Sequence, residues 1–211
     1  MSKIAIKGAT TGTGVFTLES PATNTDRTLI LPDEAGTVLT SGTPLSSFPS
    51  GFANGITEAD IWRLATTFTT TSGQEDIAGT FERVDDATFA KIGTGMSQSS
   101  GVFTFPSTGL YLVSASGYYS GGTLQYAGLQ VQASADGGSN FDQVSWNFQS
   151  LDSSVGSPYA GTLYVESFVN VTNTSNVKVR FRTYNSGAAN LIGDTNINAT
   201  WFKFIRLGDS Q

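Results

Sequence analysis

Residues 101–119 read GVFTFPSTGLYLVSASGYY, and the fold follows from this stretch. Val102-Phe103-Thr104-Phe105 alternates or nearly so, with its two phenylalanines two residues apart. Pro106, Ser107, Thr108 and Gly109 then make a turn, because proline presets φ at a turn value and glycine tolerates positive φ. A second run begins at Leu110-Tyr111-Leu112-Val113 and continues through Ala115 and Gly117 to Tyr118 and Tyr119. β-Branched and aromatic residues on both sides suit a pleated surface. The stretch therefore predicts a strand, a turn and a long strand. The long strand has apolar residues on both faces, as a central strand between two layers would.

Similar signals run through the second half of the chain. Candidate strands fall at 63–70, 79–84, 89–92, 101–105, 109–120, 126–135, 143–149, 161–171, 177–184 and 198–207. No window sustains helical periodicity. Residues 57–64 (TEADIWRL) suit either one capped helical turn, with Thr57 as the cap, or a strand beginning at Ile61. Strands at this spacing, in a chain rich in Gly, Ser, Thr and Asn, describe an all-β jelly-roll sandwich.

A phenylalanine-rich strand, then Pro-x-x-Gly-x-Tyr, then a long apolar strand resembles the tumour-necrosis-factor (TNF) and complement C1q-like jelly rolls. With residues 59–64 and 92–96 added, residues 58–207 look like the C1q-like heads of virion proteins from marine and cyanobacterial phages. The resemblance implies a homotrimer. It also implies that the last strand, Trp201-Phe202-Lys203-Phe204, sits centrally and lines the trimer. The candidates for trimer interface or core are accordingly Phe103, Phe105, Tyr111, Val113, Trp201, Phe202 and Phe204.

The opening of the chain is different. Residues 1–41 hold short alternating segments with too few large apolar residues for an independent core. The run TLILPDEAGTVLTSG is similar to a module of phage fibre and other virion proteins. Residues 1–41 are thus expected to be a β arm that docks on the virion, with Leu29, Leu31, Val38 and Leu39 as docking residues. Residues 42–57, rich in Pro, Gly and Ser, read as a linker, and residues 58–211 as the head.

Composition excludes several chemistries. The 211 residues contain no cysteine and no histidine. Disulfides, thiolate nucleophiles, Cys/His zinc sites and Ser-His-Asp triads are ruled out. The net charge of −6 offers no basic field for phosphates, so nucleic acid is not an expected partner. No apolar run is long enough to cross a bilayer and no signal-peptide pattern opens the chain, so a soluble protein is expected, without membrane insertion.

The remaining constellations are weaker. Residues 134–141 (SADGGSNF) resemble the Asp-box hairpin of sialidase propellers, but one copy makes no propeller, so the segment reads as a turn. Asp136, Asn140 and Asp142 have oxygen spacing a calcium loop could use, without its closing glutamate; no metal and no other cofactor is expected. Glu75 with Asp76, and Glu82 with Asp85 and Asp86, could pair as catalytic carboxylates, yet they read as a wet acidic face. No catalytic residue is assigned, and the chain is expected not to be an enzyme. Lys178, Arg180 and Arg182 alternate with apolar residues, which sends three positive charges to one face. They are expected to meet Glu82, Asp85 and Asp86 of a neighbouring subunit. Tyr118, Tyr119, Tyr126, Trp146 and Tyr159 are candidates to stack on a sugar, or else to fill core or interface.

The reading is a non-enzymatic virion structural protein: a trimeric capsid-decorating or head-fibre protein on the particle surface. Its partners would be the major capsid protein or a tail component. The competing reading is a short tail fibre whose head binds a host glycan.

Overall fold

The computed structural model describes residues 55–121, 124–150 and 160–211, with isolated positions 11, 13, 22 and 24–26. The chain divides between Pro44 and Leu45, and every strand described below belongs to the second unit. Leu29, Leu31, Val38, Leu39 and Tyr159 lie outside the described residues, as does most of 42–57.

Thirteen strands and no helix make up the described part. The first five are β1 (Ala59–Leu64), β2 (Phe68–Thr70), β3 (Gly73–Asp76), β4 (Phe81–Arg83) and β5 (Ser97–Ser99). Then come β6 (Val102–Thr104), β7 (Gly109–Ser120), β8 (Tyr126–Ser134) and β9 (Asp142–Ser150). The last are β10 (Ala160–Val171), β11 (Lys178–Asn185), β12 (Ala189–Leu191) and β13 (Trp201–Gly208).

They form two antiparallel sheets. In the first, β7 is central: β10 pairs along one side of it, and β13 and β12 share the other. Beyond β13 lie β1 and then β4, while β2 pairs β12. The second sheet runs β5-β6-β11-β8-β9, with β3 alongside the far half of β11. This is the all-β sandwich that the strand spacing predicts.

The core lies between the sheets and follows from period-two alternation. Tyr111, Val113, Ala115 and Tyr119 point inward from β7, Leu163, Val165, Val169 and Val171 from β10, and Val179 and Phe181 from β11; all are buried. Phe103 is at the centre. Its ring lies 5.0 Å from that of Phe204, 5.3 Å from Phe81 and 5.8 Å from both Trp62 and Phe181.

Three local points add to the sequence reading or correct it. First, the expected turn at Pro106 joins strands of different sheets. β6 belongs to the second sheet and β7 to the first, so the segment crosses the sandwich. Proline has no N–H with which to continue a ladder. Phe105 and Tyr111 close the corner with rings 4.7 Å apart, and the Tyr111 hydroxyl donates to the Ser107 carbonyl. Second, residues 59–64 are a strand and not a helical turn, and the expected strand over 63–70 breaks after Leu64. Trp62 and Leu64 face the core while β1 pairs β13 on one side and β4 on the other. Third, residues 89–92 carry only a bridge between Ile92 and Ala59. The tight hairpin that does exist joins β5 to β6. Ser100 (φ 51°) and Gly101 (φ 80°) form its two-residue loop, and positive φ at both positions matches the twist of the strands.

Candidate functional site

The candidate site grows from the other side of β7. Leu110, Leu112, Ser114, Ser116 and Tyr118 alternate with the core residues and therefore face outward. The registers extend each position into a row across four strands. Phe168, Leu112, Ile205 and Ala59 make one row. Glu166, Ser114, Lys203 and Ile61 make the next, and Tyr164, Ser116, Trp201 and Arg63 the third. The rings of Tyr164 and Trp201 are 6.1 Å apart across Ser116, and the Lys203 ammonium lies 5.1 Å from the Trp201 ring. Phe168 is 65 % exposed, and Tyr164 and Leu207 are also open to solvent.

This face is apolar along its first row, carries Glu166 and Lys203 in the second, and is open chiefly at Phe168, Tyr164 and Leu207, while Ser114 and Arg63 are buried within it. At one end a hollow of about 550 Å3 is lined by Ser116, Tyr118, Thr162, Ile192, Ile197 and Trp201. Exposed apolar side chains gathered on one face make it a candidate contact surface.

The expected interface residues split between the two sides of the sandwich. Phe103, Phe105, Tyr111, Val113, Phe202 and Phe204 are at most 2 % exposed and fill the core of one protomer. Trp201 alone of that group stands on the outer face. The physical reason is the pleat: adjacent residues face opposite ways, so a strand apolar on both sides serves a core and a surface at once. Leu112, Tyr164, Phe168 and Ile205 are the outer-face residues that sequence reasoning missed. For Leu112 and Ile205 the signal was present in the runs 110–113 and 201–205, which carry apolar residues on both faces.

The charged groups form networks inside the protomer. Arg63, fully buried on β1, donates to Glu82 (2.6 Å), Asp85 (2.7 Å) and Asp86 (3.1 Å) and to the Thr195 carbonyl. Arg180 and Arg182 instead bridge the two oxygens of Asp76, at 2.7 and 2.6 Å, and Lys178 donates to Thr104 and to the Thr174 carbonyl. The pairing expected between the 178–182 stripe and Glu82, Asp85 and Asp86 is therefore replaced: Arg63 occupies those three acids and Asp76 takes both arginines. Glu75 accepts from the amide and hydroxyl of Thr71. Each acid of the two expected clusters thus clasps its own chain. Asp60, buried on β1, accepts from Arg83, from the Trp62 indole and from the Met96 amide, which ties β1 to β4 and to the segment before β5.

The 134–141 hairpin is the turn the sequence predicts. Gly137 and Gly138 take positive φ, Ser134 donates to Asp136 at 2.7 Å, and Asn140 donates to it through both its amides, at 2.9 and 2.7 Å. Those bonds, led by the Asn140 backbone amide and then its side chain and Ser134, hold the Asp136 carboxyl down at about 2. The unfolded value is about 3.9. The stabilisation is therefore complete above that value and is lost as pH falls through about 4 towards 2. A carboxyl NMR titration of Asp136 should show a midpoint near 2; a midpoint near 4 would mean that the hairpin does not hold the ionised form.

Of the expected sugar-stacking aromatics, Tyr119 is core, its hydroxyl donating to the Gly128 carbonyl at 2.9 Å. Tyr118 lines the hollow on the outer face. Tyr126 and Trp146 join a separate aromatic group on the second sheet.

No family model matches the chain, and no curated protein matches it. Among solved structures the domain is similar to TNF-family jelly rolls. The structure of Eiger TNF from S. frugiperda superposes with a TM-score of 0.53 at 13 % identity, over 72 % of this chain and 94 % of that one. Murine APRIL at pH 5.0 superposes with a TM-score of 0.51 at 12 % identity, over 71 % of this chain and 98 % of that one. The likeness defines the fold: a TNF/C1q-like jelly roll.

Proposed function

We propose that this protein is a homotrimeric, non-enzymatic structural protein of a phage virion, docked on the particle through residues 1–41. The outer face built on β7, β10, β13 and β1 carries the trimer part of this reading. Phe168, Leu112 and Ile205 lie in one row there, Phe168 largely exposed and Leu112 and Ile205 half-buried beside it. A threefold ring would cover it by seating unlike parts of the face against each other, since cyclic contacts other than twofold ones are heterologous. The TNF/C1q-like fold supports the same arrangement. The virion part rests on the likeness of residues 28–42 to a fibre-protein module and of residues 58–207 to phage C1q-like heads. The capsid surface is the proposed location, as a decorating or head-fibre protein, with the major capsid protein as the docking partner.

Two measurements test it. Light scattering on the full chain should return three times the 22.2 kDa chain mass; a monodisperse monomer at micromolar concentration overturns the trimer. Deleting residues 1–41 should leave the trimer intact and abolish incorporation into particles. Normal occupancy by the truncated protein would remove the arm as anchor.

A further inference from the structure

The outer face of the second sheet carries a different arrangement, which stands on a single protomer and does not depend on the trimer. Tyr126, Trp146, Phe148 and Tyr184 pack as a group of rings with centroids 4.9 to 6.2 Å apart. Trp146 and Phe148 are 47 % and 42 % exposed. Gly128 makes the group possible: a Cβ there would meet Phe148 at 3.2 Å and the Trp146 indole nitrogen at 3.4 Å.

Beside the rings is an unpaired amide. Gln130 lies opposite Trp146 on β9 and opposite Arg182 on β11. It is fully buried, and neither its amide oxygen nor its amide nitrogen has a hydrogen-bond partner among the described residues. Its neighbours are satisfied. Gln132, two residues on, accepts from Arg180 at 2.8 Å, and Arg182 donates to Asp76 at 2.6 Å and to Gln74 at 3.1 Å. A buried carboxamide without partners is unfavourable in the free protein and calls for a reason. Trp146, opposite Gln130 on the edge strand β9 and half exposed, is the side chain whose displacement would open the amide to an incoming group.

We propose that this patch binds a saccharide: a gluco-configured pyranose stacks on Trp146, with the nearly perpendicular Phe148 ring at its side, while Gln130 bonds two adjacent hydroxyls. A pyranose with equatorial hydroxyls has a flat C–H face that fits an aromatic ring. Its rim hydroxyls both donate and accept, which matches the one acceptor and two donors of a carboxamide. A protein partner fits less well. A standard interface buries roughly 800 Å2 per side, whereas here two half-exposed rings are bordered by the Arg180–Asp76–Arg182 ion pairs.

Titration calorimetry of the full chain with cellopentaose and with N-acetylchitopentaose tests the assignment. At least one should bind, and Trp146→Ala should weaken it at least tenfold by removing the stacking surface. Gln130→Met is the decisive variant. It replaces the orphaned amide with an apolar group of similar length, so thermal stability should hold or rise while affinity falls by about tenfold. Wild-type affinity in Gln130→Met overturns the proposal, as does failure of both sugars to bind at millimolar concentration. A change in oligomeric mass in Trp146→Ala would make the patch a subunit contact and overturn it equally.

Discussion

A chain carrying Leu112→Asp should run as a folded monomer, with a circular dichroism spectrum like that of the unaltered protein. Leu112 sits in the middle of the outer row between Phe168 and Ile205. In a trimer closed over this face an aspartate there would be desolvated in a row of apolar groups, with Lys203 one row away and set against the Trp201 ring. An unpaired buried charge costs several kcal/mol, enough to dissociate an assembly at micromolar concentration. In the separated protomer the same carboxylate would sit at an open surface and cost little. The next residue supplies the control. Val113 is fully buried on the inner side of the same strand, so Val113→Asp should prevent folding altogether. If Leu112→Asp keeps the mass of the unaltered protein, the face built on β7 is not the subunit interface.

The second large effect belongs to the core. Phe103→Ala should destabilise the head by about 4 kcal/mol, since truncating a fully buried phenylalanine typically costs 3–5 kcal/mol. Its ring packs against aromatic side chains from both sheets, so the cavity has little freedom to collapse. In a domain of this size each kcal/mol moves the melting temperature by roughly 2–4 °C, and a drop on the order of 10 °C is expected. Phe103→Leu keeps most of the volume and should lose far less. A shift under about 2 °C for Phe103→Ala would contradict the central position of this ring.

Leu112 and Phe103 separate what residues 101–119 show by themselves from what they do not. Two apolar faces on residues 109–113 are legible because side chains alternate regardless of partners. Which face meets its own chain and which stays open is not legible. That depends on which strands lie above, and the rings that close the core, Phe103, Phe181 and Phe204, come from β6, β11 and β13, far apart in the chain. Of the residues expected at a core or an interface, the sandwich buries six in the core of one protomer and leaves Trp201 on the outer face.

Local chemistry behaved in the same way. The turn at 134–141 was readable because Ser134, Asp136 and Asn140 bond to one another within a single short segment. The length of β7 and the position of β13 were readable because long runs carry an unambiguous period. Strands of three or four residues, such as β3, β5 and β12, hold too few alternations to stand out; β3 and β12 form along the longer β11 and β7, and β5 forms through its tight hairpin with β6.

Charge partners were the least legible. Alternation correctly put Lys178, Arg180 and Arg182 on one face, but Asp76 reaches two of them only because β3 pairs with β11 at Arg182 and Asp76. Arg63 meets Glu82 because β1 and β4 are neighbours in register. A long-range ion pair is fixed by register between distant strands, and register is a property of the closed sandwich. Gln130 makes the same point. Its alternation marks an outward polar residue, and only the packing of Trp146 and Arg182 on either side buries it without a partner.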